Sequence, residues 1–143
     1  MSILLNEDIE TIFLNTKKIT KSLENKTILI TGGNGFLGKY FVELFKKYNK
    51  FSNKKIKILV YDNNLKNNYN EPSNNIKFIK HDVSNKIITR RKIDIIIHAA
   101  GIASPYYYRK KPIETLDVAI NGTRNCLAIA KKYNSKFIFF SSS

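Results

Sequence analysis

The stretch ENKTILITGGNGFLGKYFVELF, residues 24–45, decides the fold. It runs from a polar flank through a short apolar segment, TILIT, into a glycine cluster and then directly into an amphipathic repeat. TILIT reads as a strand, and GKYFVELFKKYNK as a helix with Tyr40 or Phe41, Leu44, Phe45 and Tyr48 on one side. Between them, TGGNGFLG spaces Gly32, Gly35 and Gly38 three apart and also satisfies G-x-G-x-x-G through Gly33, Gly35 and Gly38. Alone, such a match is weak, because glycines also fill ordinary turns; between a buried strand and a helix start it is strong. There the backbone can turn tightly, approach a pyrophosphate without a Cβ in the way, and aim helix N-terminal amides at the anion.

Working outward, KIKILVYD, NIKFIKHD, KIDIIIHAA and KFIFFSSS read as four further strands. Apolar β-branched runs without alternation, separated by helices, belong to strands covered on both faces of a parallel sheet, so the architecture is doubly wound α/β. NNLKNNYNEPSNN has little apolar face and reads as a loop, and SNKIITRRK is too short for more than a turn or two of helix. The longest helix is expected from Pro112, a residue suited to a first helical position, to about Tyr133, with Ile113, Leu116, Ile120, Leu127 and Ala130 facing the sheet. Gly122 inside it costs about 1 kcal/mol relative to alanine, which close packing against a neighbour would explain. Ahead of the first strand, Asn6 is placed to cap a short helix with Ile9, Ile12 and Phe13 on one face and Glu7, Asp8 and Glu10 in its first turn. Residues 15–26 have room for a further helical turn or two. The domain reading is an N-terminal helical appendage, residues 1–25, followed by a nucleotide-binding domain over 26–143.

Composition narrows the class. A chain of 143 residues suits one domain with a real core, and no run approaches the ~20 apolar residues of a membrane helix. The first residues, MSILLNEDIETIF, bring acids directly after a short apolar run, unlike a secretory signal. The single cysteine, Cys126, excludes an internal disulfide framework and a cysteine-based metal site, and the expectation is a soluble cytoplasmic protein with no membrane partner. The net charge of +14 is mostly lysine spread over the whole chain beside abundant asparagine and isoleucine. It reads as the compositional bias of an AT-rich genome rather than a nucleic-acid patch, since spread charge informs on solubility more than on a site. No nucleic-acid partner is expected.

Asp62 ends the second strand 24 residues after Gly38, near the spacing at which an acid accepts hydrogen bonds from adenosine ribose hydroxyls. A carboxylate there repels a 2′-phosphate, which favours NAD over NADP. Asp82 follows the third strand, and the small residues Ala99, Ala100 and Gly101 follow the fourth, where a cofactor can lie close to backbone in the crevice at the strands' carboxyl ends.

Taken in order, TGGNGFLG, YDNN, HDV, HAAGIASP, the P-I-E-T-L…G-T-R-N run and FIFFSSS resemble successive motifs of the extended short-chain dehydrogenase/reductase family, in particular the NAD-dependent nucleotide-sugar epimerases and dehydratases. The likeness covers about residues 26–143, and HAAGIASPYYYRKKPIETL looks most like the branch of UDP-glucuronate decarboxylases and dTDP-glucose 4,6-dehydratases. The resemblance implies a Rossmann-like domain with NAD as cofactor and a nucleotide sugar as substrate. It implies that Gly32, Gly35 and Gly38 cradle the pyrophosphate with Phe36 and Leu37 beside it, that Asp62 and Asn63 bind the ribose, and that Asp82 and Val83 contact the adenine. Ala99, Ala100, Gly101 and Ala103 would line the cofactor towards the nicotinamide. Ser104, Pro105 and the tyrosines Tyr106 to Tyr108 would edge the sugar pocket, an exposed aromatic loop being an equally good reading of the tyrosines. His98 is read as a packed strand-end residue.

Two departures from the family pattern stand out. Many relatives carry a cofactor-contacting asparagine three residues before the helix glycine, where this chain has Ala119. The family's chemistry also uses a serine or threonine just past the fifth strand, then a tyrosine and a lysine four residues apart on the next helix. Ser142 or Ser143 is expected to supply that catalytic hydroxyl, but the sequence stops at SSS. Tyr107, with Lys111 four residues on, precedes the fifth strand and lies in the wrong loop. The expectation is therefore the N-terminal, cofactor-binding part of a longer enzyme that oxidises a sugar hydroxyl transiently, a doubly wound sheet truncated after its fifth strand and inactive by itself. The intact protein could form a homodimer. The alternative is a non-catalytic nucleotide-binding or interaction module.

Overall fold

The computed structural model describes residues 3–64 and 74–140. Five parallel strands, β1 (Thr27–Thr31), β2 (Lys57–Asp62), β3 (Ile76–Lys80), β4 (Ile95–His98) and β5 (Lys136–Phe139), form one sheet in the order β3-β2-β1-β4-β5. The chain winds outward from β1 to one edge, then returns to β4 and winds to the other. The direction reverses between β1 and β4, which is where open parallel sheets leave a crevice. The inner strands are buried almost throughout, while β3 and β5, at the edges, are half-open.

Each face of the sheet carries its own core, and alternate strand residues serve opposite faces. Ile28 and Ile30 of β1, Ile58 and Val60 of β2 and Ile97 of β4 pack with helix α2 (Phe36–Phe51) through Val42, Leu44, Phe45 and Tyr48. Leu29, Leu59 and Ile96 turn the other way, onto Val83, Ile87, Ile93, Cys126 and Ile129. The expected face of α2 is the one that packs, with Tyr40 and Phe41 at its margin.

The N-terminal helix α1 (Ile3–Lys21) lays Ile9 and Phe13 on α2, where the Phe13 ring lies 6.5 Å from Tyr48 and 5.6 Å from Phe51. Asn6 is not its cap: the helix begins at Ile3, so Asp8 and Glu10 fall beyond the first turn, and residues 15–21 continue the same helix. Those acids meet α2 instead of the helix dipole, Asp8 accepting from the Tyr40 hydroxyl at 2.6 Å and Glu10 pairing with Lys47. Hydroxyls of Thr16 and Thr20 donate to the carbonyls four residues back, which satisfies them inside the helix.

Past β4 the chain forms a short exposed helix α3 (Pro105–Lys110), breaks at Lys111, and enters α4 (Pro112–Asp117), which continues through a π turn (Val118–Gly122) into α5 (Thr123–Tyr133). The helix expected from Pro112 to Tyr133 is thus present, but its core face is different. Ala130 packs on the sheet side with Val118, Cys126, Ile129 and Tyr133. Ile113, Leu116, Ile120 and Leu127 face outward, Ile113 being 66% exposed. Two apolar stripes share this helix, and the one without glycine or cysteine is the outer one. Gly122 is explained as expected: a Cβ there would sit 2.9 Å from Val83 Cγ1. The segment from Ser84 to Lys92, with room for a turn or two of helix at most, carries none and is held by Tyr133 donating to the Thr89 carbonyl at 2.8 Å. Residues 65–73, most of the asparagine-rich loop, lie outside the described residues. Among the described residues no helix is long and apolar enough to cross a membrane.

Candidate functional site

Parallel pairing brings the carboxyl ends of β1 to β4 to one edge of the sheet, and a crevice of about 240 Å³ opens there. Gly32, Asn34 and Gly35 form one wall; Asp62, Asn63, Asn64, His81, Asp82 and Val83 form the second; Ala99 to Ile102 with Val118 close the third. Five segments far apart in sequence thus converge on one space.

Gly32 is the pivot of the first wall. Its φ of +71° is one that side-chain-bearing residues rarely adopt, and a Cβ would stand 2.7 Å from the Ala100 backbone. The turn therefore brings the backbones after β1 and β4 together, leaving room only for a residue without a side chain. Gly35 caps α2, which starts at Phe36, so the helix's unpaired first-turn amides stand at the end of the crevice. Gly38 does not line the space. It lets α2 sit against the turn, since a Cβ there would run into the Gly32 carbonyl and lie 2.6 Å from Gly33 Cα.

Asp62, at the end of β2, is 8% exposed and uses both carboxylate oxygens on backbone: Oδ2 accepts from the Asn34 amide and Oδ1 from the Asn64 amide, each at 2.8 Å. The Asn34 side chain donates back to the Asn64 carbonyl at 2.6 Å. The acid thus fixes the glycine turn and the loop after β2 in one position, and each oxygen keeps a lone pair for a ligand hydroxyl. Asp82 folds its own loop in the same way, accepting from the amide and hydroxyl of Ser84 at 2.9 and 2.7 Å. Asn125 of α5 donates to the carbonyls of Val83 and Ser84, both at 3.0 Å, and so sets how far Val83 enters the crevice.

His98, the last residue of β4, is buried beneath the third wall and stacks on Phe139 at 5.5 Å. Burial holds its imidazole below the usual histidine pKa, in the neutral form. This is the packed strand end expected of it. The thiol of Cys126, buried against the same strands, is pushed up to about 12 by burial.

Of the residues singled out in the sequence, the crevice gathers Gly32, Gly35, Asp62, Asn63, Asp82, Val83, Ala99, Ala100 and Gly101. Phe36, Leu37, Gly38, Ala103, Ser104 and Pro105 stand outside it; Phe36 is 77% exposed, and Ser104 caps α3 by accepting from the Tyr107 and Tyr108 amides through its carbonyl. Tyr106 to Tyr108 lie exposed on α3. Ser142 and Ser143 lie outside the described residues. Asn34, Asn64, Tyr61, His81, Ile102 and Val118 line the crevice and escaped the sequence reading. Asn34 sits inside the glycine run itself and was the most accessible of them. Among the described residues no three His, Cys, Asp or Glu side chains are grouped to hold a metal ion.

The crevice fits an extended dinucleotide: a turn with no Cβ, a helix N-terminus for the anion, a carboxylate for ribose hydroxyls and a wall of alanine and glycine. The sequence profile of the NAD-dependent epimerase/dehydratase family matches residues 28–143. UDP-glucuronic acid decarboxylase 6 of Arabidopsis thaliana is 32% identical over 126 residues, covering 83% of this chain and 34% of its own. An epimerase from Methanothermobacter thermautotrophicus superposes with a TM-score of 0.70 at 23% identity, over 85% of this chain and 37% of its own, a likeness of fold. A dTDP-glucose 4,6-dehydratase of Bacillus anthracis, solved in complex with NAD, superposes with a TM-score of 0.59 at 27% identity, over 82% of this chain and 37% of its own. The chain spans between about a quarter and a third of the length of the curated relatives it matches. Its ordered glycine turn, strand-end acids and small-residue wall, together with the match over residues 28–143, place it in one group: this chain belongs to the NAD-dependent epimerase/dehydratase family, whose cofactor is NAD.

Proposed function

We infer that this chain is the cofactor-binding part of a nucleotide-sugar epimerase, dehydratase or decarboxylase that works by transient oxidation of a sugar hydroxyl. The observation that carries the reading is the convergence of the Gly32 turn, the Asp62 carboxylate and the Ala99–Ala100 wall on one crevice. The names of the relatives, a UDP-glucuronic acid decarboxylase and a dTDP-glucose dehydratase, support a nucleotide sugar as the substrate class.

In this reading the turn at Gly32 and Gly35 and the start of α2 take the pyrophosphate, Asp62 and Asn63 the adenosine ribose, and Asp82 and Val83 the adenine. Ala99, Ala100 and Gly101 line the path to the nicotinamide. NAD supplies the hydride acceptor when bound. Ser142 or Ser143, beyond the end of β5, holds the sugar hydroxyl, with Ser104 and Pro105 on the substrate side. The 143-residue chain then binds NAD without turning over a sugar, because its Tyr-x-x-x-Lys pairs, Tyr106 with Lys110 and Tyr107 with Lys111, lie on exposed α3 and its end, outside the crevice.

Calorimetric titration of the chain with NAD and with NADP tests the reading. Binding of NAD, with NADP weaker because its 2′-phosphate meets Asp62, is the expected result. Binding of neither, or a preference for NADP, overturns it.

A further inference from the structure

His98 lies behind the first and third walls of the crevice and bonds to residues next to each. Its Nδ1 lies 2.6 Å from Thr31 Oγ1, and Thr31 immediately precedes Gly32. Its Nε2 lies 3.2 Å from Thr123 Oγ1, and Thr123 donates its single hydroxyl proton to the Ala119 carbonyl at 2.6 Å. Ala119 is in the π turn, next to Val118, which lines the crevice. His98 itself is followed by Ala99, the start of the third wall.

Proton counting gives this chain one direction. Thr123 has spent its proton on Ala119, so His98 Nε2 must be the donor to Thr123; the neutral ring then has a bare Nδ1, which accepts from Thr31. The order runs from the Thr31 hydroxyl to His98, from His98 to the Thr123 hydroxyl, and from there to the Ala119 carbonyl. It ties the π turn to the ends of β1 and β4, which the strand ladder already joins through the Ala99 amide donating to the Thr31 carbonyl at 3.1 Å. A π turn, with its widened backbone, is a place where a helix is adjusted at a functional position.

We propose that His98, acting through Thr31 and Thr123, is a positioning residue for NAD: the directed hydrogen-bond chain sets where the π turn, and with it Val118, stands against the joined ends of β1 and β4. The proposal rests on NAD occupying this crevice. His98 and Thr123 are absent from the lining of the crevice, so they act through their neighbours.

The test is calorimetric titration of the 143-residue chain with NAD, paired with thermal melts, for the wild type, T123V, T123S, H98N and the double variant H98N/T123V. T123V removes the hydroxyl and T123S restores it, while H98N keeps an acceptor towards Thr31 and gives up the arm to Thr123. The expected result is roughly tenfold weaker NAD binding for T123V and for H98N, near-wild-type binding for T123S, and a double variant no weaker than either single one, as for two links of one chain. Wild-type affinity in T123V and H98N with lowered melting temperatures would show packing alone and overturn the proposal. So would a T123S variant as weak as T123V, or losses that multiply in the double variant. If one single variant does not fold, the other, set against T123S, decides by the same criteria. A wild type that does not bind NAD overturns the proposed function and this proposal with it, whereas binding unaffected by the variants overturns this proposal alone.

Discussion

Asp62 and Asn34 are joined by a 2.8 Å hydrogen bond from the Asn34 amide to the Asp62 carboxylate, so the residue that ends β2 also holds the turn that ends β1. One carboxylate thereby does two things, building the crevice and facing what enters it. A substitution at Asp62 is expected to show both losses together.

Asp62→Ala leaves two backbone amides without their acceptor, at a cost of about 1–3 kcal/mol of stability. It also removes the ribose partner and the repulsion of a 2′-phosphate. Titration should show NAD binding weakened roughly tenfold or more and the preference for NAD over NADP reduced. Unchanged discrimination between the two would assign Asp62 to the scaffold only.

Gly38→Ala places a methyl group against the Gly32 carbonyl and Gly33 Cα, both backbone and unable to rotate away. Overpacking of this kind costs about 1–3 kcal/mol, and here the only relief is to lift α2 off the turn. A melting-temperature drop accompanied by weaker NAD binding is expected, whereas Gly101→Ala, whose Cβ would meet nothing within 4 Å, should melt like the wild type.

Phe13→Ala tests whether α1 contributes to the main core. The ring is 6% exposed against Tyr48 and Phe51 of α2, so its loss should cost about 3–5 kcal/mol in a denaturant melt. A loss under about 1 kcal/mol would mean that α1 rides on the domain without stabilising it.

Titration should produce losses of stability in acid and in alkali. Burial sets the folded-state pKa of His98 below its unfolded value, so the unfolded chain takes up that proton first; stability falls as pH drops below about 6.5 towards the folded pKa. Lower down, Glu24 is held below the usual carboxylate value by hydroxyls of Tyr48 and Ser52 at 2.6 and 2.7 Å. Its contribution is present above the unfolded pKa and lost as pH falls through the folded one, and Glu24→Gln should remove that part of the acid loss. In alkali the sign reverses at Cys126, whose folded thiol titrates at about 12 from an ordinary 9.0, so stability falls as pH rises from the lower value to the higher. Cys126→Ala should flatten the alkaline limb of a melt series.

What the sequence made legible follows from how local each signal is. The glycine turn, Asp62, Asp82 and the alanine wall are marked by residue type and by position relative to a strand end, and the structure brings them together. The helix from Pro112 misled because it carries two apolar stripes, and choosing between them needs the neighbours Val83, His98 and Ile96, which sequence spacing does not supply. Asn6 looked like a cap because acids follow it, yet those acids belong to partners on α2. The Asn34 to Asn64 bridge joins residues 30 positions apart, and no pattern within either segment announces it.

The strand order has a last consequence, for folding rather than chemistry. The β1–β4 pairing joins residues 67 positions apart, as in Thr31 with His98 and Thr27 with Asp94. Until that long loop closes, a chain that has paired β1 with β2 owns the turn and the carboxylate but no opposite wall. The cradle is therefore a late product of assembly, slow to form because the contact is non-local. A dinucleotide that needs both walls recognises only the finished sheet, so its presence draws the population towards the fully assembled chain by mass action.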